Sequence, residues 1–148
     1  MKNVFLALTL LLLGAADMVA QTQYAVVTSV ESIIPAGLGR SRMIANKEDL
    51  NTANFTTQRT DGVKSDMGTV KREDIKIDNF EETKLLNFFS ISGINFQNIA
   101  SNDAMISAKL NEMAAAGWEL AFVTAGVESD SGTSDGEGIF VTRYIFKR

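Results

Sequence analysis

Two stretches of the chain show the residue-by-residue alternation that is typical of β-strands. The first, QYAVVTSVESII over 23–34, is rich in β-branched residues, and its odd and even positions lie on opposite faces of a strand. After Pro35, RSRMIA over 40–45 predicts a short returning strand. The other, IFVTRYIFKR over 139–148, is apolar on both faces. We therefore expect it to be a central strand, or one covered on its second side by an inserted region.

The spacing of apolar residues changes to that of a helix in SNDAMISAKLNEMAAAG, which covers 101–117. Ser101 is a good N-cap and Gly117 suits a left-handed helix end, so the spacing predicts a helix over 101–116. One apolar stripe runs along it: Ile106, Leu110, Met113 and Ala114.

A strand is predicted directly after this helix. Trp118, Leu120 and Phe122 alternate with other residues and would share one face. We expect Trp118 and Leu120 to meet the apolar stripe of the helix in one core, although an exposed tryptophan can also bind sugars or peptides.

The middle of the chain is less regular. The polar segment 46–69 contains the turn signal Asp61-Gly62 and is interpreted as a long loop or insertion. VKREDIKI over 70–77 predicts a strand, DNFEE over 78–82 a turn, and TKLLNFFSI over 83–91 a strand or a short helix. Together the elements predict an α+β fold, with an antiparallel sheet of about four to six strands and one main helix packed on a face.

The composition narrows the possible chemistry. The 148 residues suit a single domain, and the 22% of charged residues is ordinary. The chain has neither His nor Cys, which removes the usual ligands of zinc and haem and the usual catalytic base and thiolate. We therefore expect no metal site and no cofactor. The net charge of −4 argues against nucleic acid as a partner.

The N-terminal sequence MKNVFLALTLLLLGAADMVAQ has the layout of a secretory signal peptide. Lys2 precedes an apolar run that is too short to span a bilayer comfortably, and small residues follow it. We expect residues 1–20 to be removed by cleavage after Ala20, or after Ala16. Residues 21–148 would then form a single exported domain, periplasmic or extracellular, with no stable membrane insertion.

One loop has the residues of an anion site. Gly37 and Gly39 can present backbone N–H groups, and Arg40 and Arg42 would lie on one side of the following strand. A carboxylate or phosphate suits such a pair of guanidinium groups. The spacing fits neither a dinucleotide-binding loop nor a P-loop, and the alternative is a tight turn whose arginines pair with carboxylates of this chain.

The acidic residues favour a structural interpretation. The loop over 128–138 holds four carboxylates, but their spacing does not match a calcium-binding EF-hand, so a solvated hairpin tip is expected. Two further acidic pairs, Glu73-Asp74 and Glu81-Glu82, are expected on a charged surface rather than in an acid–base centre. The loop carboxylates are Glu128, Asp130, Asp135 and Glu137.

The segment LNEMAAAGWELAFV, the terminal YIFKR and the opening YAVVTSVE resemble a small bacterial family of unknown function. GLGRSRM, GINFQNIASND and GVESDSG are similar to secreted hypothetical proteins of that kind. The resemblance covers 24–44 and 93–148 and implies a compact α+β domain without assigned catalytic residues. We thus expect a non-catalytic exported domain that binds a protein partner or a small anionic ligand. The alternatives are a hydrolase with a carboxylate or Ser/Thr centre, and a structural or assembly subunit.

Overall fold

The computed structural model describes residues 21–33, 41–59, 61–62, 66–90, 92–128 and 138–148. Its sheets and helices confirm the α+β fold, with a five-stranded antiparallel sheet, a second sheet of two short strands and one main helix. The strands are β1 (Tyr24–Ser32), β2 (Arg42–Asn46), β3 (Phe80–Lys84), β4 (Phe89–Ser90), β5 (Gly93–Ile94), β6 (Glu119–Glu128) and β7 (Ile139–Lys147). The helices are α1 (Arg72–Ile75) and α2 (Phe96–Ala115), and 3₁₀ turns cover Thr52–Phe55 and Asp66–Thr69.

The five strands lie in the order β3-β2-β1-β7-β6, and every neighbouring pair is antiparallel. As predicted, β7 is central, because it pairs with β1 on one side and with β6 on the other. The β1–β7 ladder is extended by Gln23 and Arg148, whose backbone groups exchange hydrogen bonds of 2.9 and 3.1 Å.

The core lies between α2 and one face of the sheet. Alternation in β1 directs Ala25 and Val27 towards the helix. Ile106, Leu110 and Met113 of the apolar stripe pack on this core, as the sequence predicted, whereas Ala114 is exposed. Trp118 also packs on this core, with the Arg148 guanidinium 4.3 Å from its ring centroid. The most buried apolar side chains are Val27, Met43, Leu85 and Phe146.

The predicted start of the main helix is wrong. The helix begins at Phe96, and its N-cap is Asn95, whose side chain accepts a hydrogen bond from the Asn98 N–H. Ser101 lies inside the helix, where its hydroxyl donates to the Gln97 carbonyl at 2.8 Å. The helix ends at Ala115, one residue before the predicted end, and the predicted left-handed conformation of Gly117 is confirmed by its φ of 82°.

The helix ends in a complete Schellman motif. The Trp118 N–H donates to the Met113 carbonyl at 3.0 Å, and the Gly117 N–H donates to the Ala114 carbonyl at 3.0 Å. These bonds satisfy carbonyl groups that the helix itself leaves free, and they turn the chain directly into β6.

Two predictions for the middle of the chain are also wrong. The segment 70–77, predicted as a strand, contains the short helix α1. The segment 78–82, predicted as a turn, contains the start of β3, because residues from Phe80 onwards pair with β2. Within 46–69, the described residues hold two 3₁₀ turns. The extent of the insertion stays a prediction.

A β-bulge interrupts β6. The register passes from the Leu120–Phe146 pair to the Phe122–Ile145 pair, so Ala121 is the extra residue. Leu120 therefore faces the helix side, whereas Phe122 faces the opposite side. The prediction that Trp118, Leu120 and Phe122 share one face is wrong for Phe122, and Leu120 is exposed rather than part of the core.

A buried polar network ties the segment after β3 to the sheet. The Ser41 hydroxyl donates to the Asn87 side-chain oxygen at 2.6 Å and accepts from the Ser32 N–H at 2.9 Å. The Asn98 side chain in turn donates to the Asn87 carbonyl at 2.8 Å. These hydrogen bonds offset the cost of burying the polar groups, so the network fixes the segment against the sheet.

Candidate functional site

The structure describes one residue of the predicted anion site. Arg42 lies on the sheet face that points away from α2, and its guanidinium contacts the Glu82 carboxylate at 2.8 Å. A carboxylate of this chain therefore neutralises Arg42, as the alternative interpretation expected. Gly37, Gly39 and Arg40 lie outside the described residues, so the anion site stays a prediction.

The acidic pairs behave as a charged surface. Glu81 contacts Lys47 at 2.7 Å and Lys109 at 3.0 Å, and these hydrogen bonds, that from Lys47 first, lower the pKa of its carboxyl. A general acid needs the opposite shift. Glu73 and Asp74 lie on α1 and are exposed. Asp130, Asp135 and Glu137 lie outside the described residues, and Glu128 is the last residue of β6.

A groove of about 410 Å³ separates β3 from α2. Its chemistry centres on Lys109, which contacts Glu81 and, at 2.7 Å, Glu112. Burial disfavours the charged amine, but the hydrogen bonds to Glu112 and Glu81 outweigh burial and raise the pKa of Lys109. The charges thus satisfy one another, with Met43 and Met105 also lining the groove, and they leave no unpaired charge among the described lining residues.

One carboxylate shows the shift that an acid–base group requires. Glu31 is half-buried on the helix side of β1, and burial raises its pKa, while a hydrogen bond from Asn102 opposes the shift and nearby Asp103 adds to it. Two residues along the strand, the Ser29 hydroxyl is buried and has no partner among the described residues. Ser29 is inaccessible to solvent, so a substrate cannot reach its hydroxyl.

Sequence reasoning did not identify Glu31 or Asn102. Asn102 is fully buried, and its side chain binds both backbone groups of Leu86 and the Glu31 carboxylate. An asparagine four residues before Ile106, at the start of the apolar stripe, was the available signal, because a buried amide needs several partners.

The opposite side of the sheet carries an exposed apolar surface. We call the face away from α2 the open face. Cross-strand pairing aligns Phe122, Ile145 and Val26 in one row across three strands. Phe122 is 61% exposed and Tyr24 is 68% exposed. The aromatic band, as we name this surface, consists of Tyr24, Val26, Phe122, Ile145 and, on β3 beyond the polar Asn46, Phe80.

A cation lies beside the aromatic band. Arg143 is exposed on β7, between Thr28 of β1 and Thr124 of β6, in the row next to Ile145. Within the described part of the chain, Arg143 forms no ion pair. The open face therefore presents apolar contact area next to a positive charge that no described carboxylate pairs with.

These features define a class, namely a small α+β domain with one covered and one open sheet face. No protein-family model, curated protein or solved structure matches this chain. The resemblance to a bacterial family of unknown function therefore stays a prediction. None of the described helices has the length and apolar content that a membrane span requires.

Proposed function

We propose that this chain is an exported, non-catalytic binding domain, and that it docks a partner on the open face of its sheet. The aromatic band carries this proposal. Monomeric proteins seldom expose several large apolar side chains in one contiguous patch unless the patch binds something. Aromatic residues are also enriched in the centres of protein interfaces.

The size of the band sets the kind of partner. A buried aromatic side chain covers about 150–250 Å², so the exposed parts of Tyr24, Phe80 and Phe122 supply roughly 350 Å². A standard interface buries about 800 Å² on each side. The band can thus form the apolar centre of a modest interface, with the surrounding polar residues as its rim.

The charge of the open face sets the chemistry of the partner. No carboxylate pairs with Arg143 among the residues that the structure describes, and a guanidinium forms strong paired hydrogen bonds with carboxylates. The partner class that fits is a protein segment with aromatic or aliphatic side chains next to an acidic residue. This agrees with the sequence-based expectation of a protein partner or an anionic ligand.

A peptide library displayed on phage tests the proposal. Selection on the purified chain should enrich peptides that combine apolar and acidic residues. Their binding should fall at least about tenfold in the Phe122→Ser and Arg143→Glu variants. Phe96→Ser is the matched control, because Phe96 is 77% exposed at the start of α2, away from the open face.

The outcome is decisive when stability is measured with binding. Both open-face variants should keep the thermal midpoint of the unaltered chain, since the replaced side chains are exposed. Peptides that bind Phe122→Ser as well as the unaltered chain, or a selection that enriches nothing, would refute docking on the open face.

Export has a separate test. A mature chain that begins at Gln21, or at Asp17, is expected, and intact-mass measurement of the protein from the periplasm or the medium identifies its first residue. Recovery of the full-length chain from the membrane fraction would refute cleavage.

A further inference from the structure

The two edges of the five-stranded sheet differ in a way that concerns self-association. The β3 edge has five residues, and Glu81, Glu82 and Lys84 give it three charges. The β6 edge has ten residues, and the stretch between Glu119 and Glu128 contains neither a charge nor a proline. Short length and charges are the usual protections of an edge strand against pairing with another chain. β3 has both, whereas β6 has only its bulge.

The β6 edge is also exposed on both of its faces. All ten residues are solvent-exposed, including Val123 on the helix side and Phe122 on the open face, and Val127 is 63% exposed. No described strand pairs with the outer edge of β6. An added antiparallel strand would satisfy the outward backbone groups and place its own side chains beside these apolar residues at the same time.

The order of side chains in β6 suits a second copy of the same strand. A two-fold axis perpendicular to a sheet keeps each side chain on its own face. Two residues that pair across this axis must therefore both have odd numbers or both have even numbers. When the axis passes at Ala125, Val123 of each copy lies opposite Val127 of the other copy. On the open face, Thr124 lies opposite Gly126, and the Phe122 ring has the side-chain-free Gly126 as its diagonal neighbour.

The charges permit the same arrangement. Each chain carries a net charge of −4, so two copies repel one another at long range. The uncharged stretch of β6 brings them together without placing one carboxylate opposite another, because Glu128 lies opposite Phe122 in this register. A basic partner strand would be the competing occupant, but nothing in the interior of the β6 edge offers it an opposite charge.

We infer that two copies of this chain pair antiparallel through β6 around a two-fold axis at Ala125, which joins their sheets into one of ten strands. The paired stretch of seven residues is only about 24 Å long. Such a contact lies at the small end of interfaces, so the dimer is weak and depends on concentration. The inference goes beyond the proposed function, because the aromatic band of each copy remains exposed for a partner.

Cysteine crosslinking tests the register directly, because the natural sequence contains no Cys. Residues directly opposite each other in an antiparallel pair have Cα atoms about 4.5–5.5 Å apart, which a disulfide can bridge. Ala125→Cys should therefore form a covalent dimer under mild oxidation. Val123→Cys alone should not, because the two copies of residue 123 lie about 14 Å apart. An equal mixture of Val123→Cys and Val127→Cys chains should crosslink.

Sedimentation velocity tests the dimer without crosslinks. From about 5 to 500 µM the unaltered chain should shift from monomer to dimer, and Ala125→Lys should raise the dissociation constant at least about tenfold. Ala104→Lys is the matched control, because Ala104 is exposed on α2 and receives the same charge. Thermal melting of each variant shows that it is folded, and Ala125→Cys provides a conservative second change.

Three results would overturn the inference. The first is a chain that stays monomeric throughout, with no more crosslinking of Ala125→Cys than of an Ala104→Cys control. The second is crosslinking of Val123→Cys alone, which contradicts the register. The third is equal weakening by Ala125→Lys and Ala104→Lys, which indicates a contact elsewhere. All these experiments use the chain alone, so failure here leaves the peptide-binding test of the proposed function unaffected.

Discussion

Asn102 offers the sharpest test of the forces that hold the helix on the sheet. Its side-chain oxygen accepts from the Leu86 N–H at 2.8 Å, and its amide donates to the Leu86 carbonyl at 2.7 Å and to Glu31 at 2.8 Å. One buried side chain thus joins α2 to β1 and to the segment after β3. Asn102→Ala removes all three bonds and leaves a small cavity.

The expected loss follows from the groups left behind. An unsatisfied buried backbone group costs about 1–3 kcal/mol, and Leu86 would keep two of them. Leu86 is itself partly exposed, so water can reach part of the vacated space, and the lower half of the range applies. We therefore expect Asn102→Ala to lower the free energy of unfolding by roughly 2–4 kcal/mol.

Urea denaturation followed by tryptophan fluorescence measures this loss, because Trp118 is the single tryptophan and packs on the core. Asn111→Ala is the matched control, since Asn111 is exposed on the same helix, and it should be neutral or slightly stabilising. Asn102→Asp should be destabilising at neutral pH, because it removes the donor to Leu86 and adds a negative charge beside Glu31. A loss below about half a kcal/mol for Asn102→Ala would refute the reasoning.

Three further changes test the core and the buried polar groups. Leu110→Ala should cost about 2 kcal/mol in urea denaturation, the low end for leucine because Leu110 is partly buried; a cost near zero would place it in solvent. Ser29→Ala should stabilise by about 1 kcal/mol, since the hydroxyl is buried and no described residue pairs with it; a loss of stability would show that the hydroxyl does have a partner. Glu31→Gln keeps the acceptor for Asn102. Burial raises the pKa of Glu31, so the ionised carboxylate destabilises the fold increasingly as pH rises above the ordinary pKa of 4.5. In thermal melting, Glu31→Gln should therefore be more stable than the unaltered chain at neutral pH and equally stable in acid. An equal gain in stability at all pH values would contradict the pKa shift.

Local signals predicted the elements that local interactions determine. The end of α2 was predictable because Gly117 and the apolar stripe lie within a few residues of one another. The beginning was not, because Asn95 and Ser101 are both good N-caps. Contacts with residues distant in sequence decide between them: Asn98 binds the Asn87 carbonyl, and Asn102 binds Leu86.

The strand β3 shows the same limit. EE within FEETK is polar and suggests a turn, but pairing with β2 supplies backbone partners, and Lys47 and Lys109 supply charges for Glu81. The Glu31–Asn102 contact joins residues 71 positions apart, so periodicity could not bring them together. Arg42 was correctly placed on its strand, but its partner Glu82 could not be chosen among the chain's 18 acidic residues.

The bulge in β6 links the main sequence-based error to the proposed surface. Strict alternation would put Phe122 on the helix side together with Leu120. The extra residue Ala121 instead moves Phe122 to the open face, in line with Ile145 and Val26. A bulge weakens the ladder locally and turns a large aromatic side chain towards solvent, so the fold alone gives no reason for it. The proposed docking does give a reason, because the displaced ring is the part of the aromatic band that lies on the β6 edge of the sheet.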